Sequence, residues 1–188
     1  MFIKNDWVFF VDADEIVSKE LADEIYRQIS QFLTPVHGYF IPRRDYLWGK
    51  SFRFGEVGTI KLLRLGRKDK GQWIGQVHEK WKIIGSVGTF KNPLEHYPHQ
   101  SIREFLSEIN YYSTLRAREL HKRNKAVSRL EIFFYPLGKF ILNYFFKLGF
   151  LDGVPGIMVC LMMSFHSFLV RGKLWQLRER KRQYNFGN

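Results

Sequence analysis

Two carboxylates one residue apart, Asp12 and Asp14, follow an unbroken apolar run, Trp7-Val8-Phe9-Phe10-Val11. Acids at this spacing can grip a hard divalent cation, which in turn binds phosphate oxygens. A short run of this kind reads as a central strand buried on both faces. Asp12 and Asp14 then sit at its carboxyl end, where open α/β sheets bind their ligands. The competing role is structural, two acids placed at the start of a helix and favoured by its dipole. A calcium-loop reading fails, because the position at which that loop demands glycine is Val17.

Two further groups have chemical potential. His78-Glu79 stands in the segment Gly75-Gln76-Val77-His78-Glu79, where a carboxylate beside a histidine can serve as a general base. The alternative is a solvated pair at a strand end. His96, in His96-Tyr97-Pro98-His99, can complete a metal site or touch phosphate, or belong to a surface loop. The chain has no P-loop, no G-x-G-x-x-G after a strand, no nucleophile elbow and no zinc spacing. Its one cysteine, Cys160, has no catalytic context and excludes a disulfide scaffold.

The elements that must hold these residues are legible in outline. Ser18 is placed to cap a helix carrying Leu21, Ile25, Ile29, Phe32 and Leu33 at helical spacing, which Pro35 ends. β-like runs follow at Tyr39-Phe40-Ile41, from Thr59 to Leu65 and from Val77 to Ile84. Strand, helix and further strands predict an α/β sheet. Ser101 and Glu104 make a capping box, opening a helix with Phe105, Leu106, Ile109, Tyr112 and Leu120 on one broad face. Residues 132–151 and 154–170 are strongly apolar and are split by Asp152-Gly153. They predict an apolar helical hairpin, either buried in a soluble core, lying in the bilayer surface, or spanning it. Two parts are expected, residues 1–125 and an apolar, basic-flanked region over 126–188.

Composition narrows the partners. With 45% hydrophobic and 17% aromatic residues the chain is no disordered tail, and a net charge of +12 calls for an anionic partner. Nucleic acid, a phosphorylated small molecule and an acidic membrane all qualify. From Arg116 to Arg129, and again from Arg171 to Arg182, six basic residues stand against one acidic. These clusters flank the apolar segments and do not interleave with aromatics, and no nucleic-acid-binding motif is present. The placement favours a membrane surface and argues against nucleic acid.

The block Asp6-Trp7-Val8-Phe9-Phe10-Val11-Asp12-Ala13-Asp14-Glu15 resembles the "DWV-hydrophobic-DADE" block of family 2 glycosyltransferases, in particular the bacterial branch that adds sugars to lipopolysaccharide core. The likeness continues through Arg43-Arg44 with Gly49-Lys50, Lys61-Leu62-Leu63-Arg64, Gly75 to Glu79, Leu94-Glu95-His96-Tyr97 and Tyr111-Tyr112-Ser113. It reaches Gly149 to Gly153 and Lys173-Leu174-Trp175. The resemblance implies an α/β, GT-A-like partial sheet with a C-terminal apolar hairpin. It implies an inverting transferase that uses a nucleotide sugar and a divalent metal, Mg or Mn. Asp14 would be the principal metal ligand and Asp12 would hold the sugar-nucleotide side. Glu79 would be the base that deprotonates the acceptor hydroxyl, and His96 an extra metal or diphosphate contact. Arg43, Arg44, Lys61 and Arg64 would meet diphosphate or acceptor phosphate. The acceptor would be a lipopolysaccharide-core or related glycolipid at the cytoplasmic face of the bacterial inner membrane, the protein being peripheral or monotopic there. In that family strand–helix units holding the nucleotide precede the D-x-D strand, whereas six residues precede Trp7 here. A fragment, a half completed by another polypeptide, and a non-catalytic relative that binds membrane or a partner are the corresponding expectations.

Overall fold

A computed structural model describes residues 5–30, 35–74, 80–98 and 101–186. The chain forms two compact units, one of residues 1–53 and 57–98, the other of residues 54–56 and 99–188.

The first unit is α/β. Its elements are β1 (Trp7–Phe9), β2 (Glu15–Ile16), α1 (Lys19–Ile29), β3 (Val36–Leu47), β4 (Lys50–Ser51), a 3-10 turn (Val57–Thr59), β5 (Lys61–Arg67), β6 (Gly71–Ile74), β7 (Lys80–Ile83), β8 (Ser86–Thr89) and β9 (Leu94–His96). The main sheet runs β1-β5-β3-β9-β2, with β4 and β8 also paired to β3, while β6 and β7 form a separate ribbon. The sheet is mixed: β3 pairs antiparallel with β5 and parallel with β8 and β9.

The first strand differs from its expectation. β1 has three residues that are half-buried, not buried on both faces, and among the described residues it pairs with β5 at one end of the sheet path. Its run is apolar because its residues pack on two different apolar groups. Trp7 and Phe9 pack on the core of Leu21, Tyr39, Ile41, Leu65, Phe90 and Leu94. Phe10 turns to the ribbon and meets Trp73 and Trp81 edge-on, with centroids 5.4 and 4.9 Å away. Trp81 seats its indole against backbone that only glycine permits, since a Cβ on Gly66 or Gly71 would lie 2.6 or 2.4 Å from the ring.

Ser18 caps α1 as expected, accepting from the Leu21 amide at 3.2 Å, but the short strand β2 intervenes between Asp14 and this helix. Leu21 is fully buried, and Ile25 and Ile29 pack beside it. Phe32 and Leu33 lie outside the described residues.

The second unit is helical: α2 (Ile102–Lys122), α3 (Arg129–Ile141), a π turn (Leu142–Phe146), a 3-10 turn (Gly149–Asp152) and α4 (Gly153–Phe186). Capping boxes open both α2 (Ser101, Glu104) and α3 (Ser128, Glu131). The buried stripe of α2 is Phe105, Ile109, Ser113 and Ala117, whereas Leu106 and Tyr112 are exposed. Small residues lie on the buried stripe because α4 packs closely there, and Lys173 Nζ donates to Ser113 Oγ and Thr114 Oγ1 at 2.8 Å each. The apolar segments do pack as a pair of helices. Their junction is not a simple turn, however, because the π and 3-10 turns come first and α4 then continues unbroken into the basic stretch.

Candidate functional site

Backbone pairing, more than sequence proximity, assembles the site. β9 lies between β3 and β2, so its His96 stands opposite Asp45 on one side and Glu15 on the other. The Tyr97 amide donates to the Asp14 carbonyl at 2.8 Å and holds the acidic turn against the end of β9. A second bond shapes that turn from within, as the Asp12 amide donates to Glu15 Oε2 at 2.9 Å.

The two acids of the D-x-D pair enter different networks. Asp14 Oδ2 faces His96 Nε2 at 3.2 Å, and the other ring nitrogen, Nδ1, faces Asp45 Oδ1 at 2.9 Å. Asp45 is buried and is held by Arg43, whose Nε lies 2.7 Å from Oδ1 and whose Nη2 donates to Oδ2 at 3.0 Å. The result is a line of side chains in contact, Arg43, Asp45, His96, Asp14, that ends on a half-exposed carboxylate. Asp12 turns instead to Arg64, whose Nη2 donates to it and to Glu15 Oε1 at 2.8 Å. Burial alone would lower the Arg64 pKa, but the Asp12 hydrogen bond and the Glu15 charge outweigh it and raise the pKa above its ordinary value. Arg64 is therefore a fixed cation, and it holds Asp12 away from Asp14.

Beside these networks is a cleft of about 720 Å³ lined by Phe10, Arg43, Lys61, Arg64, Trp73 and Trp81 among others. The two arginines that bind the buried acids thus also present their flanks to an aromatic, basic hollow. Arg44 does not join them. It alternates to the opposite face of β3 from Arg43 and Asp45. Glu79, with the whole of Gly75–Glu79, lies outside the described residues, as does His99.

Among the described residues no three His, Cys, Asp or Glu side chains converge as a cage for a metal. Asp14 and His96 are two adjacent donors. That set fits a cation that takes its other ligands from phosphate oxygens and water, and its imidazole suits a transition-metal ion better than magnesium, which keeps to oxygen. With Nδ1–H given to Asp45, His96 would present Nε2 as its ligating nitrogen, the orienting arrangement common behind metal-bound histidines. Asp12 fits such a site only after leaving Arg64.

Sequence reading missed Asp45 and Glu15 as parts of the site. Asp45 had a faint signal, since it sits two residues beyond Arg43 and therefore on the same strand face. Its meeting with His96 is set by the β3–β9 register, which no local pattern announces.

No family model matches the chain. Over 95% of its length it is 28% identical to a lipopolysaccharide core biosynthesis glycosyltransferase, LpsC, of Rhizobium meliloti, covering 67% of that protein. An uncharacterised glycosyltransferase of Rickettsia typhi is 26% identical over 95% of this chain and 65% of its own length. One from Rickettsia conorii is 27% identical over 93% of this chain and 65% of its own length. The chain is thus similar to bacterial glycosyltransferases, one of them named for lipopolysaccharide core biosynthesis. It spans about two thirds of the length of these relatives.

Proposed function

We propose that this chain carries the acceptor-side and metal-side parts of a GT-A, family 2 glycosyltransferase that moves a sugar from a nucleotide-diphosphate donor to a lipopolysaccharide-core or related glycolipid acceptor, with inversion. The observation that carries the reading is the Arg43–Asp45–His96–Asp14 line, whose Arg43 end lines an aromatic, basic cleft. The homologous glycosyltransferases support it.

Asp14 and His96 would hold a Mg or Mn ion, which when bound supplies positive charge to the departing diphosphate. Asp45 orients His96, and Arg43 holds Asp45 in place through two contacts. Asp12 holds the sugar-nucleotide side through its pairing with Arg64. The Trp73 and Trp81 rings offer apolar faces on which a sugar can stack, and Lys61 and Arg64 offer charge to a phosphorylated acceptor. Glu79 is the general base that takes the proton from the acceptor hydroxyl during one in-line displacement at the anomeric carbon. Arg44 contributes to phosphate recognition from the other face of β3.

The second unit supplies the membrane reading. Gly149–Glu179 is long and apolar enough to cross a bilayer, and only 28% of its apolar window is buried. Phe133, Phe146 and Val154 are each at least 68% exposed. An apolar helical face flanked by basic runs suits a peripheral or monotopic position on an anionic, cytoplasmic membrane surface.

The test is transfer or hydrolysis of a panel of nucleotide sugars by the chain in its native reading frame, with and without Mg and Mn. Metal-dependent turnover that Asp14→Ala and Glu79→Gln each remove is the expected result. Undiminished turnover in Asp14→Ala would discard the metal assignment. Absence of any nucleotide-sugar binding by calorimetry would favour a non-catalytic relative that binds membrane or a partner.

A further inference from the structure

Outside the acidic site, the helical unit has two adjoining hollows of opposite character. A cleft of about 430 Å³ between α2, α3 and α4 is lined by Arg116, Lys125, Tyr135, Lys139, His166 and Arg171 among others. An apolar groove of about 460 Å³ runs along α3 past Leu130, Phe134, Gly138 and Leu142. Both hollows are lined by Glu131, Tyr135 and Lys139, so they join along one side of α3.

The cations of the cleft are not equivalent. Arg116 pairs with Glu119 at 2.6 Å and Lys139 with Glu56 at 2.7 Å. Lys125 and Arg171 are in no salt bridge among the described residues. Arg171 is positioned by neutral groups, its Cζ lying 3.5 Å above the Tyr135 ring and its Nη1 donating to Ser167 Oγ at 3.1 Å. Glu131 is the one carboxylate on the lining, and it is engaged in capping α3, accepting from the Ser128 amide at 2.6 Å. Glu131 lies within electrostatic reach of both Lys125 and Arg171, but one carboxylate turned to a helix cap leaves the lining with an excess of positive charge, an anion-binding arrangement.

The groove has its own signature. Gly138 lies in the interior of α3, where glycine is disfavoured relative to alanine, and a Cβ there would meet nothing within 4 Å. The missing side chain leaves the groove open. Leu130 and Phe134 on its walls are 68% and 56% exposed, a large cost in water for residues that contact no core.

We propose that these two hollows are one binding site for a single anionic phospholipid of the bilayer, its phosphodiester on Lys125 and Arg171 and an acyl chain in the groove over Gly138. The charge complementarity and the apolar continuation together select an amphiphile with a phosphate head, which neither hollow would select alone. The bilayer reading of the previous section enters only as the source of the lipid.

The test uses the full chain and dihexanoyl-phosphatidylglycerol below its micelle concentration, titrated by calorimetry, so that no membrane surface is present. Saturable binding of one lipid per chain is expected. Lys125→Gln and Arg171→Gln should each weaken it about fivefold. Gly138→Leu, which enters open space and leaves the helix intact by circular dichroism, should abolish lipid binding while sparing any affinity for inorganic phosphate. Arg118→Gln removes one charge from α2 at a residue that does not line the cleft and should change affinity by less than about twofold. Equal affinity for inorganic phosphate would overturn the proposal in favour of a free-anion site. An Arg118→Gln loss equal to that of Lys125→Gln would reduce it to diffuse electrostatics, and self-association without lipid saturation would make the groove an interface between copies. A chain that floats with anionic vesicles yet fails to bind monomeric lipid overturns this site and leaves the membrane reading standing.

Discussion

Asp45 is the residue on which the acidic site turns. It is 3% exposed and lies between a guanidinium and an imidazole, so its polar partners are side chains and not bulk water. Replacing Asp45 by Asn keeps the shape but removes the charge that orients His96. On the sugar-transfer reading, kcat should fall by about tenfold to a hundredfold, as is usual when the partner behind a ligating histidine is lost. Circular dichroism should show the fold retained, and the apparent affinity for Mg or Mn should weaken in parallel. Asp14→Ala should cost more, at least about a hundredfold in turnover, since it removes a group acting directly on developing charge. Arg64 is a different case. It joins Asp12 and Glu15, and Arg64→Gln should release Asp12 and raise the Michaelis constant for the donor more than it lowers kcat.

At the scale of elements, single contacts fix how helices seat. Glu24 of α1 accepts from the Lys91 and Asn92 amides at 2.9 Å each and from Asn92 Nδ2 at 2.8 Å, clamping the helix to the turn before β9. Burial by itself would raise the Glu24 pKa, but these hydrogen bonds and nearby Arg27 hold it below the usual glutamate value. A carboxylate depressed in the folded state stabilises fully above its unfolded pKa, and that contribution is lost as pH falls through the folded value. Glu24→Gln should therefore lower stability by about 1 kcal/mol near neutral pH, the site being partly exposed, and thermal melts should converge with wild type in acid, once the folded-state carboxyl is protonated. In the helical unit two glycines make opposite predictions. A Cβ at Gly156 would lie 2.2 Å from the Gly149 carbonyl oxygen, so Gly156→Ala should destabilise by about 1–3 kcal/mol despite alanine's better helix propensity. At Gly138 there is open space, and Gly138→Ala should stabilise by about 0.5–1 kcal/mol in chemical denaturation.

Considered whole, the molecule carries a charge of +12 that is far from evenly spread. Basic runs flank the apolar helices α3 and α4, while the α/β unit pairs much of its charge internally. Vesicle flotation should therefore be strong on membranes containing phosphatidylglycerol and weak on phosphatidylcholine alone. Salt should reduce it only in part. The Debye length shortens to about 3 Å at 1 M and weakens the contribution of the basic runs, whereas insertion of Phe133, Phe146 and Val154 is insensitive to salt. Complete release at high salt would mean that the exposed apolar face does not enter the bilayer.

Local features of this protein were legible in the sequence because they depend on neighbours a few residues away. The Ser18 cap, the Ser101–Glu104 box, the amphipathic stripe of α1 and the apolar character of the last helices are of this kind. The acidic pair was found the same way, since Asp12 and Asp14 stand in one turn. Which partner each acid takes was decided only in three dimensions. Arg64, 52 residues from Asp12, and Asp45, 51 residues from His96, are brought in by strand register. A side chain's period along a strand says which face it occupies, but the pairing of strands far apart in the chain is set by packing of the whole core. For the same reason the run from Trp7 to Val11 read as a central strand. Its apolar residues are instead shared between the core under α1 and the tryptophans of the β6–β7 ribbon, a division made by elements that lie well downstream.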